Sequence, residues 1–235
     1  DGELEAMRRI MEERWGELDF ETPWIDSKER RRADLYLQRL HAYLVAVQDD
    51  HGRVVGSEAA FRFAVDLAQD RPAAHPVDPE HPAQQAVVNG YIDRVEVYPS
   101  DGGEHEAARG RTWNTMVDGA GGERVVVVDL KTGKYEPETE AKVVEHAQLA
   151  AYQLAVEQGL VEGADPAALA GARLVLVAQT IGASPYRVAH QHRLDDDART
   201  AFLERVAEAG RGMAASSFTA QVEAHCADTQ VRVSP

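Results

Sequence analysis

Apolar residues recur along the chain with two periods, one typical of helices and one typical of strands. Helical spacing over residues 3–17 predicts an amphipathic helix whose apolar side carries Leu4, Met7, Ile10, Met11 and Trp15. A second helix is predicted from Asp26, which with Glu29 resembles a capping box, to about residue 48. Further helices are predicted from Pro137 to about residue 158, before Gly159, and after Asp195 to about residues 210–212.

Runs of β-branched and aromatic residues between these helices predict strands. They cover residues 53–63, 86–98, 123–131, 173–181 and 186–194. Residues 70–85 and 163–171 predict loops, because they are rich in residues that favour turns. The expected fold class is therefore α/β.

The segment 123–134, ERVVVVDLKTGK, has the strongest strand signal. Its four consecutive valines indicate a strand buried on both faces, because a half-exposed strand would alternate apolar and polar residues. Asp129 and Lys131 lie two positions apart at its end, so they point to the same face where the core meets solvent. Such a pair is either a salt bridge of little energetic value or a pair that serves a metal or a substrate.

Two other segments carry polar side chains that need a reason. Asp93 lies within the predicted strand 86–98, although carboxylates are disfavoured in strands. Gln148 and Tyr152 are four residues apart on a predicted helix and share one of its faces. Taken alone, they are most simply a solvent-facing glutamine and a half-buried core tyrosine.

Three segments in order resemble the motifs of the RecB-family nuclease domain of the PD-(D/E)XK superfamily. They are Gly90-Tyr-Ile-Asp-Arg-Val, Val-Val-Asp129-Leu-Lys-Thr-Gly and Gln148-Leu-Ala-Ala-Tyr152. The similarity is closest to the C-terminal nuclease domains of bacterial helicase–nucleases of the AddAB and AdnAB type, and it extends weakly to residues 56–61. The resemblance implies a restriction-endonuclease-like mixed central sheet flanked by helices, within a single domain.

We expect that domain to have three parts. A helical part covers about residues 1–50, and a catalytic core covers about residues 53–182 with a loop insertion at about 99–122. A C-terminal helix and tail cover about residues 195–235.

The resemblance implies a metal site for the acidic residues. Asp93, Asp129 and the backbone carbonyl of Leu130 would hold Mg²⁺ or Mn²⁺, ions that prefer oxygen ligands. A cation there polarises the scissile phosphate and makes water more acidic. Glu58 would lie near the metal or bind a basic group, and a plain surface glutamate is an equally good interpretation.

The remaining motif residues would act on the substrate. Lys131 would orient the attacking water or neutralise charge that develops in the transition state. Gln148 and Tyr152 would position the DNA strand.

The chain departs from the family in two places. Relatives usually have a metal-binding histidine on a helix before the glutamate strand, whereas the first histidine here is His41, which lacks the accompanying glycine. Either that ligand precedes the sequence or the protein never had it, so the activity of this fragment alone stays open. Some relatives hold an iron–sulfur cluster with four cysteines, whereas Cys226 is the single cysteine here and Thr229 and Ser234 stand roughly where others would fall. We therefore expect no iron–sulfur cluster.

The formal net charge of −15 is unusual for a nucleic-acid enzyme, because phosphate binding usually leaves a basic surface. It fits a domain that receives single-stranded DNA from a helicase module in the same chain or in a partner chain. The basic run 28–32 either contacts phosphates or forms a solvated helix face. Trp113 and Met116 in the insertion either stack on a base or pack locally.

Two histidine pairs offer weaker metal signals. His75 and His81 are expected in an exposed loop with little rigid support. His190 and His192 share a face of a predicted strand, and exposed edge-strand histidines are the favoured interpretation over a metal pair.

The sequence thus predicts a cytoplasmic, metal-dependent deoxyribonuclease domain that acts in DNA repair or recombination. No membrane association is expected, since no apolar run is long enough to cross a bilayer. One alternative is a nuclease-like interaction or DNA-guiding module that no longer cuts. The other is an α/β domain with unrelated small-molecule binding, which would have a closed pocket.

Overall fold

The computed structural model describes residues 2–68, 71–99, 122–133 and 140–215. Most of the predicted insertion, with Trp113 and Met116, lies outside the described residues, as do Pro137 and the tail with Cys226.

Six strands in the described ranges form one sheet in the order β2, β1, β3, β4, β5, β6. The strands are β1 (Arg53–Asp66), β2 (Ala74–His75), β3 (Gln85–Pro99), β4 (Glu123–Lys131), β5 (Leu169–Leu176) and β6 (Arg187–His192). Neighbouring strands are antiparallel except β4 and β5, which are parallel and joined through a helical crossover. The predicted α/β class with a mixed central sheet is confirmed.

Helices flank both faces of this sheet. The α-helices are α1 (Gly2–Trp15), α2 (Pro23–Asp49), α3 (Glu140–Val144), α4 (Ala147–Glu157) and α5 (Asp196–Ala214), with short 3-10 helices at Pro82–Gln84 and Pro166–Ala168. Over the described ranges, no helix combines the length and the apolar character needed to cross a membrane.

The central strand β4 is buried on both faces, as its valines predict. Val125 and Val127 lie in the larger core with residues of α4 and α5, whereas Val126 and Val128 pack with residues of α2. Because side chains alternate along a strand, Asp129 and Lys131 continue the α4 face.

The two long predicted helices have different ends from those expected. The second begins at Pro23 rather than Asp26, because proline is well suited to the first helical turn. Asp26 therefore lies inside α2, and its Oδ1 accepts a hydrogen bond from Trp15 Nε1 at 2.6 Å. The helix predicted up to residue 158 is broken into α3 and α4, because His146 caps α4 by accepting a hydrogen bond from the Leu149 N–H at 3.4 Å.

The predicted loop over residues 163–171 is wrong at its end, where β5 already begins at Leu169. The prediction assigns Gly171 to the loop because glycine favours turns. In the structure it lies within β5, which needs a residue without a side chain at this position. A Cβ there would lie 2.6 Å from the Gln191 carbonyl oxygen of β6, and its φ of +143° favours glycine.

His75 is also not in a loop, since it belongs to β2 and its Nε2 lies 3.0 Å from Asp66 Oδ1.

Candidate active site

Asp93 and Asp129 lie where β3 and β4 separate. The last pair in their register is Arg94 with Val128, so one further step would place the two carboxylates opposite each other. Asp93 Oδ2 instead accepts a hydrogen bond from the backbone N–H of Leu130 at 2.9 Å. The N–H and C=O of one strand residue point to the same side, so the Leu130 carbonyl also faces β3.

A continuous chain of contacts runs from the buried carboxylate to α4. Asp129 is only 1% exposed, and its Oδ2 lies 2.9 Å from Lys131 Nζ. Lys131 Nζ also donates to Gln148 Oε1 at 3.0 Å, and Gln148 Nε2 donates to the Tyr152 hydroxyl at 2.7 Å. These four residues, which the sequence placed on two separate elements, therefore form one polar cluster.

Helix α4 can hold this cluster because its small side chains allow close packing on the sheet. Ala150, Ala151 and Ala155 are buried against it. Tyr152 is 4% exposed, and its ring meets Phe61 of β1 edge to face at 5.8 Å. Burial is the main reason that the pKa of Tyr152 is raised to about 12, and the charges of Asp129 and Asp93 add to this. The hydroxyl therefore keeps its proton at neutral pH and lies near both carboxylates.

Glu58 lies on β1 at the step opposite Asp93. The register pairs Ser57 with Arg94 and Ala59 with Ile92, with Glu58 between them. Its φ of +51° is unusual for a residue other than glycine, and its side chain is exposed. Local backbone strain of this kind often accompanies functional sites.

Several other sequence candidates lie away from this cluster. His41 is on α2, whose buried side packs on the opposite face of the sheet. Within the basic run, Arg30 pairs with Glu12 and Arg32 with Glu29, so these two cations serve the helical region.

The two histidine pairs have separate surroundings. His81 is exposed, as expected, and its Nδ1 lies 2.8 Å from Asp78 Oδ2. Strand β6 is an edge strand as predicted, but His190 is partly buried and only His192 is exposed.

A second buried polar cluster, on the α2 face, was missed by the sequence analysis. Glu96 is fully buried and accepts hydrogen bonds from Tyr43 at 2.8 Å, Tyr98 at 2.6 Å and Arg94 at 2.5 Å. Arg173, also buried, lies 3.9 Å from the same carboxylate and 5.2 Å from the centre of the Tyr98 ring. The sequence feature that could have revealed this cluster is a carboxylate within a predicted strand. It drew attention to Asp93, and it applies equally to Glu96.

The donor set near Asp93 fits a hard divalent cation. Two carboxylates and a backbone carbonyl are oxygen ligands, and Mg²⁺ commonly binds through one or two carboxylates while it keeps several waters. Across the residues that the structure describes, no three His, Cys, Asp or Glu side chains converge in a way that could hold a metal ion. A cation here would therefore depend on the carbonyl, on water and on substrate oxygens.

The sequence matches the profile of the PD-(D/E)XK nuclease superfamily over residues 1–108 and 116–232. The chain belongs to this superfamily. Its mixed sheet, with six strands in the described ranges and flanking helices, is the restriction-endonuclease-like fold that the PD-(D/E)XK assignment leads one to expect. A search among curated proteins finds no significant match.

Proposed function

We propose that this PD-(D/E)XK domain is a metal-dependent deoxyribonuclease of the RecB type. Its substrate would be single-stranded DNA supplied by a helicase module, in repair or recombination. The observation that carries the proposal is the contact chain from Asp129 through Lys131 and Gln148 to Tyr152, with Asp93 facing it across the strand ends.

Asp93, Asp129 and the Leu130 carbonyl would hold Mg²⁺ or Mn²⁺. When bound, such a cation supplies Lewis-acid polarisation of a phosphate oxygen and acidifies water. The carboxylates themselves concentrate negative charge at one point of a largely apolar sheet, which favours the binding of a cation. The Leu130 N–H holds the Asp93 carboxylate in place through its Oδ2.

Lys131 would stabilise negative charge on the phosphate. Its ammonium lies between Asp129 and Gln148, and these two contacts fix its position. An ammonium held in advance stabilises developing charge without reorganisation during the reaction. Tyr152, which keeps its proton, would donate a hydrogen bond to the DNA backbone together with Gln148.

The test is cleavage of an end-labelled single-stranded oligodeoxynucleotide in Mg²⁺ or Mn²⁺. We expect Asp129→Asn and Lys131→Met each to lower the rate by at least about 100-fold, the usual effect of removing one electrostatic catalytic group. Glu123→Gln, at the exposed opposite end of β4, is the matched control and should leave the rate unchanged. Native cleavage by Asp129→Asn would refute the assignment of the site.

The second candidate function is a nuclease-like module that guides DNA or binds a partner without cutting. The net charge of −15 favours it, because phosphate binding usually leaves a basic surface. Calorimetric titration with Mn²⁺ separates the two candidates. Saturable binding that Asp93→Ala abolishes supports the nuclease, whereas no binding by the native chain supports the guiding module.

A further inference from the structure

One face of the β1–β3 ribbon exposes an aromatic ring and a cation close in sequence to Asp93. This ribbon face consists of Ala60 and Arg62 on β1 and Asn89 and Tyr91 on β3. The register pairs Ala60 with Tyr91 and Arg62 with Asn89, so all four point to the same side. The opposite side carries Phe61 and Ile92 into the core.

Tyr91 is unusual for its exposure. It is 61% exposed, and its direct neighbour across the ribbon is only an alanine, so the flat side of the ring is open to solvent. Arg62, exposed as well, is the diagonal neighbour at a Cα distance of about 7–8 Å. Within the part of the chain that the structure describes, neither side chain makes a hydrogen bond, an ion pair or a ring contact.

The ribbon face approaches the carboxylates at the edge of β3. Tyr91 lies two residues before Asp93 on the same strand, which is about 7 Å along the chain. Phe61, on the other side of the ribbon, packs against Tyr152 of α4, so the ribbon face and the Asp129–Tyr152 cluster lie on opposite faces of the sheet. In the described ranges β4 pairs with β3 only from Arg94 onward, so β4 does not cover the edge of β3 beside Tyr91. A strand of nucleic acid would pass round this edge from the ribbon face to Asp93.

We propose that the ribbon face binds single-stranded nucleic acid, with one base stacked on Tyr91 and an adjacent phosphate on Arg62. An aromatic ring can stack only on a base that has no partner in a duplex stack, which selects single strands. The free guanidinium supplies the charge complementarity that a chain with a net charge of −15 lacks overall. This inference rests on the proposed function and names the part of the domain that holds the strand.

The test separates binding from cleavage by measuring both. Fluorescence anisotropy reports the affinity for a labelled oligothymidylate in the Asp129→Asn background, where no cutting is expected. Tyr91→Ala should weaken binding about 10-fold, the loss of one stacked base, whereas Tyr91→Phe keeps the ring and the affinity. Trp24→Ala removes an aromatic side chain that is 65% exposed on α2 and should change nothing.

Two further readouts identify the kind of contact. The first is a series of oligonucleotides that each lack one base, at a different position in each member. For the member that lacks the base stacked on Tyr91, the Tyr91→Ala variant and the background protein should bind with the same affinity. Arg62→Gln should reduce the slope of log affinity against log salt by about 0.7, the loss of one phosphate contact on a single strand.

The outcomes distinguish this inference from the proposed function. Unchanged affinity of Tyr91→Ala for the oligothymidylate overturns the inference, whether or not the native domain cuts. An equal loss of affinity for blunt duplex also overturns it, because a stacked base cannot account for that loss. Weaker single-strand binding in a chain that never cuts supports the ribbon face and rejects the nuclease.

Discussion

His190 should make the protein lose stability as the solution becomes acidic, and the size of the loss follows from where β6 places its ring. His190 pairs with the buried Arg173 on β5. Its Nδ1 is buried and forms no hydrogen bond with any described residue. Burial, then the charge of Arg173 and then His192 lower the pKa of His190 from 6.5 to about 4.

The unfolded chain therefore binds a proton at this histidine between pH 6.5 and about 4, whereas the folded chain does not. Stability contributed by the neutral ring is present above pH 6.5 and is lost as the pH falls. The full loss is about 3 kcal/mol, of which about 2 kcal/mol is reached at pH 5.

The assay is urea unfolding at a series of pH values from 7.5 to 5, with native protein and the His190→Gln variant. The native protein should lose about 2 kcal/mol more than His190→Gln over this range, since glutamine does not titrate. His192→Gln, at the exposed end of the same strand, is the control. It should keep most of the native pH dependence, because His192 is the smallest of the three causes that lower the pKa of His190. Parallel curves for the native protein and His190→Gln would refute the reasoning.

Two further predictions concern stability measured by urea unfolding. Tyr43→Phe removes a hydrogen bond to the buried Glu96 carboxylate and should cost about 1.5–3 kcal/mol, whereas Tyr36→Phe, on a less buried part of α2, should cost under about 0.5 kcal/mol. Gly171→Ala should cost at least about 2 kcal/mol, because its Cβ meets backbone, and Gly182→Ala, at a φ of +55° with open space around it, only about 1 kcal/mol. Equal costs within either pair would contradict the structural reason given.

The sequence predicted the strands well where their side chains report burial directly. The valines of β4 predict a central strand, because only such a strand is buried on both faces. The observed bounds of β4 agree with the predicted ones. Gly171 and His146 show where this reasoning fails. Whether glycine ends a strand or permits close approach, and whether histidine continues a helix or caps it, depends on neighbours that are distant in sequence.

The candidate site was only partly predictable for a related reason. Motif order pointed to Asp93, Asp129, Lys131, Gln148 and Tyr152, and the structure brings the last four into one contact chain. Their catalytic roles stay predictions. The sequence could not distinguish Glu96, which lies in a buried hydrogen-bond network, from Asp93, which lies at the candidate site. Both are carboxylates within a predicted strand, and their sequence patterns are the same.

The parallel pairing of β4 with β5 affects how the protein reaches its folded state. Asp129 aligns with Leu174 of β5, 45 positions later, whereas the antiparallel β1–β3 ribbon that carries Asp93 begins with the pair Asp66 and Gln85, only 19 positions apart. Contacts between distant residues form slowly, because the loop between them must be closed first. During synthesis the ribbon can therefore assemble before β5 exists, and the two carboxylates meet their final surroundings only after the crossover has docked. A chain that stalls at that stage would expose a half-finished site and the unpaired edge of β4, which is a surface prone to aggregation.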